Sequence, residues 1–374
     1  MASPKRRRGL ALGLRLCYFC SAMTSRNPKP GALILAGGRG ERFWPWSTAA
    51  RPKQLLPLAG GGRTLLAATF ARALRLTSAD RVVVMTAEPL VEACRRECPG
   101  AIVVGEPVMR NTGPAIAAAA AFFEDDTAFA VLTSDHAIDD ENAFAADLAR
   151  AVEVATRDGV LVTFGIPPRA ADTNFGYVRR GVKLAERLHR VAQFTEKPDL
   201  ERATAWVASG EYAWNSGMFV WTRRAFMAAL QAGRPAIAAA LAPLRFTAGQ
   251  ERDFEQALRE VFPALESVSV DYAVLEGAPN VVVIEATFDW DDLGSWSAWA
   301  RRQPRDAHGN VTWGDAIAVE CEGCIVVGDG VLAAPLRLKD MVVVATPGGV
   351  LACHIADSEH VRKVSEAVRA RSSR

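Results

Sequence analysis

Residues 33–60 read "LILAGGRGERFWPWSTAARPKQLLPLAG". The stretch opens as an apolar strand, then sets four glycines, three arginines, a lysine and two tryptophans in one loop. A glycine-rich turn directly after a buried strand is where an α/β protein binds anions. Gly37, Gly38 and Gly40 let backbone N–H groups approach phosphate oxygens with no side chain in the way. Arg39, Arg42 and Lys53 add charge. Arg42 can grip two oxygens at once, and Lys53 is a mobile point charge. The loop has neither the Gly-Lys-Ser/Thr ending of a Walker P-loop nor the GxGxxG dinucleotide fingerprint. Glycines alone would describe an ordinary tight turn; the basic residues are what point to phosphate.

Outward from this loop, apolar runs at 81–86, 101–104, 128–135 and 160–165 alternate with helical patterns. Thr64 caps a predicted helix with Leu66, Phe70 and Leu74 on one face. Pro114 stands near the start of an alanine-rich helix, and Gly159 ends another where a C-cap belongs. Strand, helix, strand at this spacing predicts right-handed βαβ units on a mostly parallel sheet, with ligands beyond the carboxyl ends of the strands. From about residue 174 the strand candidates (175–180, 190–197, 216–222 and 280–286) are separated by long insertions. They predict a mixed sheet that continues the same domain and adds a second lobe. The polar run 301–310, "RRQPRDAHGN", is a linker candidate, followed by short strands with turns and a closing helix at 357–370. The expected division is a disordered extension at 1–29, a main domain at 30–300 and a small β-rich domain with a terminal helix at 301–374.

The chain has 374 residues, half of them apolar, enough for one large or two modest cores. Its net charge of +2 gives no global electrostatic case for nucleic acid, so any anion site must be local. Arg15 interrupts the only apolar run near the N-terminus, and no small-residue cleavage site follows Met23. That segment reads as a disordered extension, or as a start misplaced from Met23. No run approaches a membrane span, so a soluble, cytoplasmic protein without a membrane partner is expected. The cysteine count is odd, seven in a long chain, which argues against a disulfide framework. Cys321 and Cys324, with Cys353 and His354 beyond, invite a zinc reading, but no second pair at suitable spacing follows; a strand turn is preferred. Cys94 and Cys98 share a helix face.

"AGGRGERFWPWST" followed by "RPKQLLPL" resembles the signature of the nucleotide-sugar pyrophosphorylases, specifically the mannose-1-phosphate guanylyltransferases. The resemblance continues through "EPVMRNTGPAI" (106–116), "LTSDHAI" (132–138), "TNFGYVRR" (173–180) and "FTEKPD" (194–199). It ends with "WNSGMFVW" (214–221), "SVDYAVLE" (269–276) and "FDWDDLGSWSAW" (288–299). Two departures are small. Ala49-Ala50-Arg51 replaces the more usual run before Pro-Lys-Gln, and Gly113 stands where alanine is common. The implied fold is α/β: a Rossmann-like, mixed but mostly parallel sheet flanked by helices, with a small β-rich C-terminal domain. The implied reaction joins GTP and mannose 1-phosphate into GDP-mannose and diphosphate by in-line attack on the α-phosphorus.

The resemblance also implies roles. Gly37, Gly38, Arg39, Gly40 and Arg42 cradle the triphosphate, and Lys53 reaches the α-phosphate or the sugar phosphate. Asp135, at the end of a buried strand, and Asp292 in "WDDLG" hold a magnesium ion, with Asp292 chosen over Asp289 and Asp291 by family position. His136 either touches phosphate or is a satisfied structural histidine. Glu106, Arg110, Asn111 and Thr112 face the base, where a carboxylate can accept from guanine N1 and N2; Asn111 and Thr112 can equally cap a helix. Gly176, Glu196, Lys197, Asn215 and Asp271 meet the sugar phosphate. Trp214, Trp290 and Trp296 flank these blocks and read as core. The alternatives are a nucleotidyltransferase for another base or sugar phosphate and, ranked lower, a silent regulatory homologue. A bifunctional enzyme with an added isomerase domain would need a longer chain. The β-rich tail is where homodimer contacts would fall.

Overall fold

Leu33 and Ile34 of the opening strand face opposite ways, each into its own core. That is the period-two pattern of a sheet covered on both sides. The computed structural model describes residues 29–38, 40–247 and 251–372. The N-terminal extension, Cys17, Cys20 and Arg39 therefore lie outside the described residues. Strands β1 (Gly31–Leu35), β2 (Val82–Ala87), β3 (Ile102–Glu106), β4 (Ala128–Thr133) and β5 (Leu161–Ile166) repeat the pattern. β6 (Gly176–Ala185), β7 (Leu188–Glu196), β8 (Tyr212–Thr222) and β9 (Val281–Glu285) join them. The nine strands form one sheet in the order β3-β2-β1-β4-β8-β5-β9-β7-β6. Only β7 and β8 run against the rest. The later strands, from which a second lobe was expected, thus complete the same sheet, β8 entering between β4 and β5.

Helices α1 (Leu65–Leu74), α2 (Val91–Glu97), α3 (Thr112–Ala119), α4 (Glu141–Asp158) and α5 (Leu200–Ser209) connect or cover these strands. So do α6 (Arg223–Gly233), α7 (Pro235–Leu241), α8 (Glu251–Val261) and α9 (Trp296–Ala300). Thr64 caps α1, its hydroxyl accepting from Ala67 N–H at 3.0 Å. Gly159 ends α4 in the left-handed conformation, φ 62°. Leu66 and Phe70 are buried, but Leu74 is 42% exposed. Each step of four residues overshoots a helical turn by about 40°, so Leu74 has rotated off the buried face. No described helix is long and apolar enough to cross a membrane.

The C-terminal strands form their own sheet. β10 (Val311–Ala316), β11 (Ile325–Ala333) and β12 (Met341–Thr346) stack in parallel. β13 (Gly349–His354) returns antiparallel, and α10 (Val361–Ser372) follows. Glu322 and Lys339, 17 residues apart, bridge at 3.1 Å on successive turns of this coil. The Cys321 and Cys324 thiols inside it hydrogen-bond the carbonyls of Pro335 and Leu338 at 3.5 and 3.3 Å.

A third apolar cluster joins the two sheets. It gathers Phe43, Trp46 and Leu56 from the opening loop, Trp296 and Trp299 from α9, and Val327, Val344 and Leu351 from the C-terminal sheet. Trp46 stacks on Trp296 with ring centroids 5.9 Å apart, and lies 4.4 Å from Trp313. The tryptophans of the opening loop therefore anchor it to the C-terminal sheet.

Candidate active site

The glycine loop is tied down by its own downstream residues. Gln54 Nε2 donates to the carbonyls of Ala36, at 2.6 Å, and Gly38, at 3.1 Å. Ser47 Oγ donates to the Gly40 carbonyl at 2.7 Å. Gly40 has φ 61°, and a Cβ there would lie 2.3 Å from Lys53 Cβ. Only glycine lets the loop fold down onto Lys53.

Lys53 is 7% exposed, so this ligand-loop residue is itself buried. Its Nζ donates to Asp135 Oδ2 at 2.9 Å and to the Asp292 carbonyl. Asp135 follows β4. Asp292 is brought to it by an antiparallel bridge between Ala137 and Asp291, with Ala137 N–H donating to the Asp291 carbonyl at 2.8 Å. The two neighbouring aspartates differ. Asp291 is buried, accepts from Leu293 N–H at 2.9 Å and faces Arg301 at 3.2 Å. Asp292 accepts from Gly294 N–H at 3.1 Å, and both aspartates line a cleft of about 540 Å³ together with Arg42, Arg169, Phe175, Trp214 and Trp290.

Electrostatics separate these groups further. Burial works to raise the Asp135 pKa, yet the Lys53 ammonium holds it below the usual carboxylate value. Burial raises that of Asp292. Burial lowers His136 to about 4, so its ring is neutral. The Thr133 hydroxyl, at 2.5 Å, and the Trp290 indole N–H, at 3.1 Å, converge on His136 Nδ1. Nε2 lies 3.8 Å from Asp135 Oδ1. His136 is thus hydrogen-bonded through Nδ1, while Nε2 stands near Asp135 beyond hydrogen-bond distance.

A second group surrounds Glu106 at the end of β3. It is 8% exposed, and burial alone raises its pKa to about 7. Gly37 lies beside it: a Cβ there would be 3.3 Å from Glu106 Oε1. Its three expected companions are engaged elsewhere. The Arg110 guanidinium donates to the Pro263 carbonyl. Asn111 Oδ1 caps Thr112 N–H at 2.8 Å, and Thr112 Oγ1 accepts from Val270 N–H at 2.9 Å.

The third group comes from four separate stretches. Gly176 pairs with Glu196 across β6 and β7, and a Cβ on Gly176 would lie 2.5 Å from Glu196 Oε2. Asn215 accepts from the Thr163 hydroxyl at 2.9 Å and donates to Asp271 Oδ1 at 3.0 Å. Burial and the Glu196 charge raise the Asp271 pKa to about 6. Lys197 Nζ stands 3.4 Å from Glu196 Oε1 and is mostly exposed.

Sequence reasoning passed over Gln54, Arg169, Phe175 and the polar edge of Trp290. Gln54 and Trp290 sat inside quoted motifs, and Phe175 adjoins Gly176. Arg169, which donates to the Trp290 carbonyl at 3.0 Å, carried no signal of its own.

Residues 31–308 match the nucleotidyl transferase family, and residues 314–368 match the MannoseP isomerase/GMP-like beta-helix domain. A mannose-1-phosphate guanylyltransferase of Escherichia coli is 39% identical over 344 residues, covering 89% of this chain and 73% of that protein. The xanthan biosynthesis protein XanB of Xanthomonas campestris is 38% identical, covering 90% and 73%. A Thermus thermophilus structure described as mannose-1-phosphate geranyltransferase superposes with a TM-score of 0.81 at 32% identity, covering 91% of this chain and 99% of that one. The chain belongs to the nucleotidyl transferase family, among relatives that include the mannose-1-phosphate guanylyltransferases.

Proposed function

We propose that this protein is a mannose-1-phosphate guanylyltransferase, joining GTP and α-D-mannose 1-phosphate into GDP-mannose and diphosphate. The observation that carries the reading is Lys53, held between Asp135 and Asp292, the latter lining a cleft together with Arg42. The nucleophile is a phosphate oxygen that already carries charge, so no general base is required. Catalysis then consists of holding two mutually repelling anions in line and neutralising the α-phosphate. Lys53 and Arg42 supply that charge. Arg39 is assigned to the triphosphate by its place in the loop, and Gly37, Gly38 and Gly40 by their open backbone.

Lys53 joins the Asp135 carboxylate to the Asp292 main-chain carbonyl, the Asp135 charge acts on the Asp292 carboxyl, and no group of three or more candidate ligands occurs among the described residues. Two carboxylates completed by phosphate oxygens and water suit Mg²⁺. When bound there, the ion would screen the triphosphate charge. Glu106 accepts from guanine N1 and N2, a donor pair that adenine and uracil lack. Arg110, Asn111 and Thr112 shape the turn that presents it. Gly176, Glu196, Asn215 and Asp271 form the mannose subsite, with Lys197 reaching the sugar phosphate. The reading places the protein in the cytoplasm, where GTP is held. It also includes a homodimer through the C-terminal sheet, which exposes Ile317, Leu332, Leu336 and Val350.

The test is diphosphate release from a panel of nucleoside triphosphates and sugar 1-phosphates. GTP with mannose 1-phosphate should give the highest kcat/KM. A higher value for another base or sugar phosphate would replace this assignment.

A further inference from the structure

A second cavity, of about 440 Å³, lies beside the glycine loop. Its floor is Gly37 and Gly38, which follow β1, and its side is Leu90, just past β2. This is the carboxyl end of the parallel strands, and Glu106 stands next to Gly37 without lining the cavity itself. The opposite wall comes from the far end of the chain. Ser365, Val368 and Arg369 of α10 face the cavity across from the loop. The helix is fastened there by Glu41, which pairs with Arg362 at 3.4 Å and with Arg369. Glu41 is only 13% exposed, whereas Arg362 and Arg369 reach it from solvent, 66% and 48% exposed. The C-terminal sheet adds a second clasp on the other side of the loop, where Asp329 accepts from Arg51 at 2.6 Å and from Trp46 Nε1 at 3.1 Å.

A nucleotide base has two flat apolar faces and a polar edge, and it needs a surface against each face. The loop backbone and Leu90 supply one side. Trp44, Pro52, Pro89 and Met109 are further apolar side chains around the cavity, and Val368 is the one that α10 sets opposite the loop. We propose that α10 is the outer wall of the nucleoside subsite. Val368 packs on the guanine, and Arg369, oriented by Glu41, donates to the nucleoside or its phosphates. The C-terminal domain then contributes directly to nucleotide affinity, separately from any role in subunit contact. This rests on the reading that places the base between Gly37 and Glu106.

The test compares KM for GTP and for mannose 1-phosphate in the full-length protein carrying Val368→Trp, Arg369→Ala or Glu106→Ala, with thermal melts as the folding control. Val368→Trp fills the cavity, and Arg369→Ala removes a donor from an exposed helix face. Each should raise KM for GTP by about tenfold or more while KM for mannose 1-phosphate stays put, the loss of one good contact. Wild-type KM for GTP in both α10 variants overturns the inference. So does an equal rise for both substrates, which would mean that α10 only supports the loop as a whole. A normal KM for GTP in Glu106→Ala alone would remove Glu106 from base recognition and leave the α10 wall standing. Should Val368→Trp fold poorly, Arg369→Ala carries the test.

Discussion

Lys53 Nζ sits 2.9 Å from Asp135 Oδ2, with the lysine side chain 8% exposed and the aspartate 40%. The same ammonium holds the Asp292 carbonyl. One cation thus joins the carboxylate after β4 to the loop after β9, which lines the proposed phosphate cleft. Lys53→Met should lower kcat by about 10²- to 10³-fold, the scale of losing one preorganised charge at a reacting centre. Its effect on stability should be smaller. Breaking a fully buried pair costs about 3–5 kcal/mol, but the exposure of Asp135 reduces this toward about 1 kcal/mol. The sign follows from the depressed Asp135 pKa: the pair's contribution is complete above pH about 4 and fades as acid protonates the folded carboxyl. A thermal melt against pH should lose that acid dependence in the variant; unchanged turnover would remove Lys53 from the mechanism.

Asp135→Asn and Asp292→Asn each keep shape and remove one charge. If both carboxylates hold one Mg²⁺, each variant should need far more of it for half-maximal rate and should also lose maximal rate. The double variant should be little worse than the poorer single, since groups acting as a unit are non-additive. Asp291→Asn is the control. Its carboxylate is already committed to Leu293 N–H and Arg301, so it should lower the melting temperature and leave the Mg²⁺ requirement alone. A titration in which Asp291 shifts the requirement and Asp292 does not would reverse the assignment.

Glu106 gives a pH signature. Its carboxyl, raised to about 7 by burial, must be ionised to accept both guanine donors. Below pH 7 the proton has to leave first, so GTP affinity should fall by up to about tenfold per pH unit; above 7 it should level off. GTP itself titrates nearby, so the diagnostic quantity is the difference from Glu106→Gln, which has no such proton to lose. Parallel pH profiles for the two proteins would exclude Glu106 from the base contact.

Gln54 should matter out of proportion to its neutrality. Gln54→Met keeps the volume but leaves the Gly38 carbonyl without its side-chain donor and the Ala36 carbonyl with the Thr86 hydroxyl alone. A cost of about 1–3 kcal/mol is expected from urea denaturation. A fall in kcat/KM of about tenfold or more should accompany it, because the glycine backbone would no longer be held for phosphate. Full activity at reduced stability would separate the tie from the chemistry.

Trp46 tests the seam between the two sheets. Trp46→Ala empties the centre of the shared aromatic cluster and should cost about 3–5 kcal/mol. Because the glycine loop hangs from that cluster, KM for GTP should rise in the same variant while the protein is still folded at low temperature.

Local chemistry was legible in the chain itself. The strand before Gly37, the cap at Thr64 and the αL stop at Gly159 follow from short-range rules, because the residues that satisfy them are near neighbours in sequence. The motif blocks marked Lys53, Asp135, Glu106 and Asn215 in the same way. Leu74 was misjudged because a small rotational drift along α1 decides which face it takes. Other features depend on contacts between distant segments, and no window of sequence contains those. Both Asp291 and Asp292 line the cleft, but Leu293 N–H and Arg301 engage the Asp291 carboxylate while the Asp292 main-chain carbonyl meets Lys53, although the two residues are adjacent and chemically identical. Burial in the assembled protein, not residue type, makes Glu106 a proton-binding group near neutrality and His136 a neutral ring. Ion pairs and aromatic stacking across the full chain bring the closing helix over the opening loop. The sequence specified which groups were available; packing set their charge, their partners and which of them face the same space.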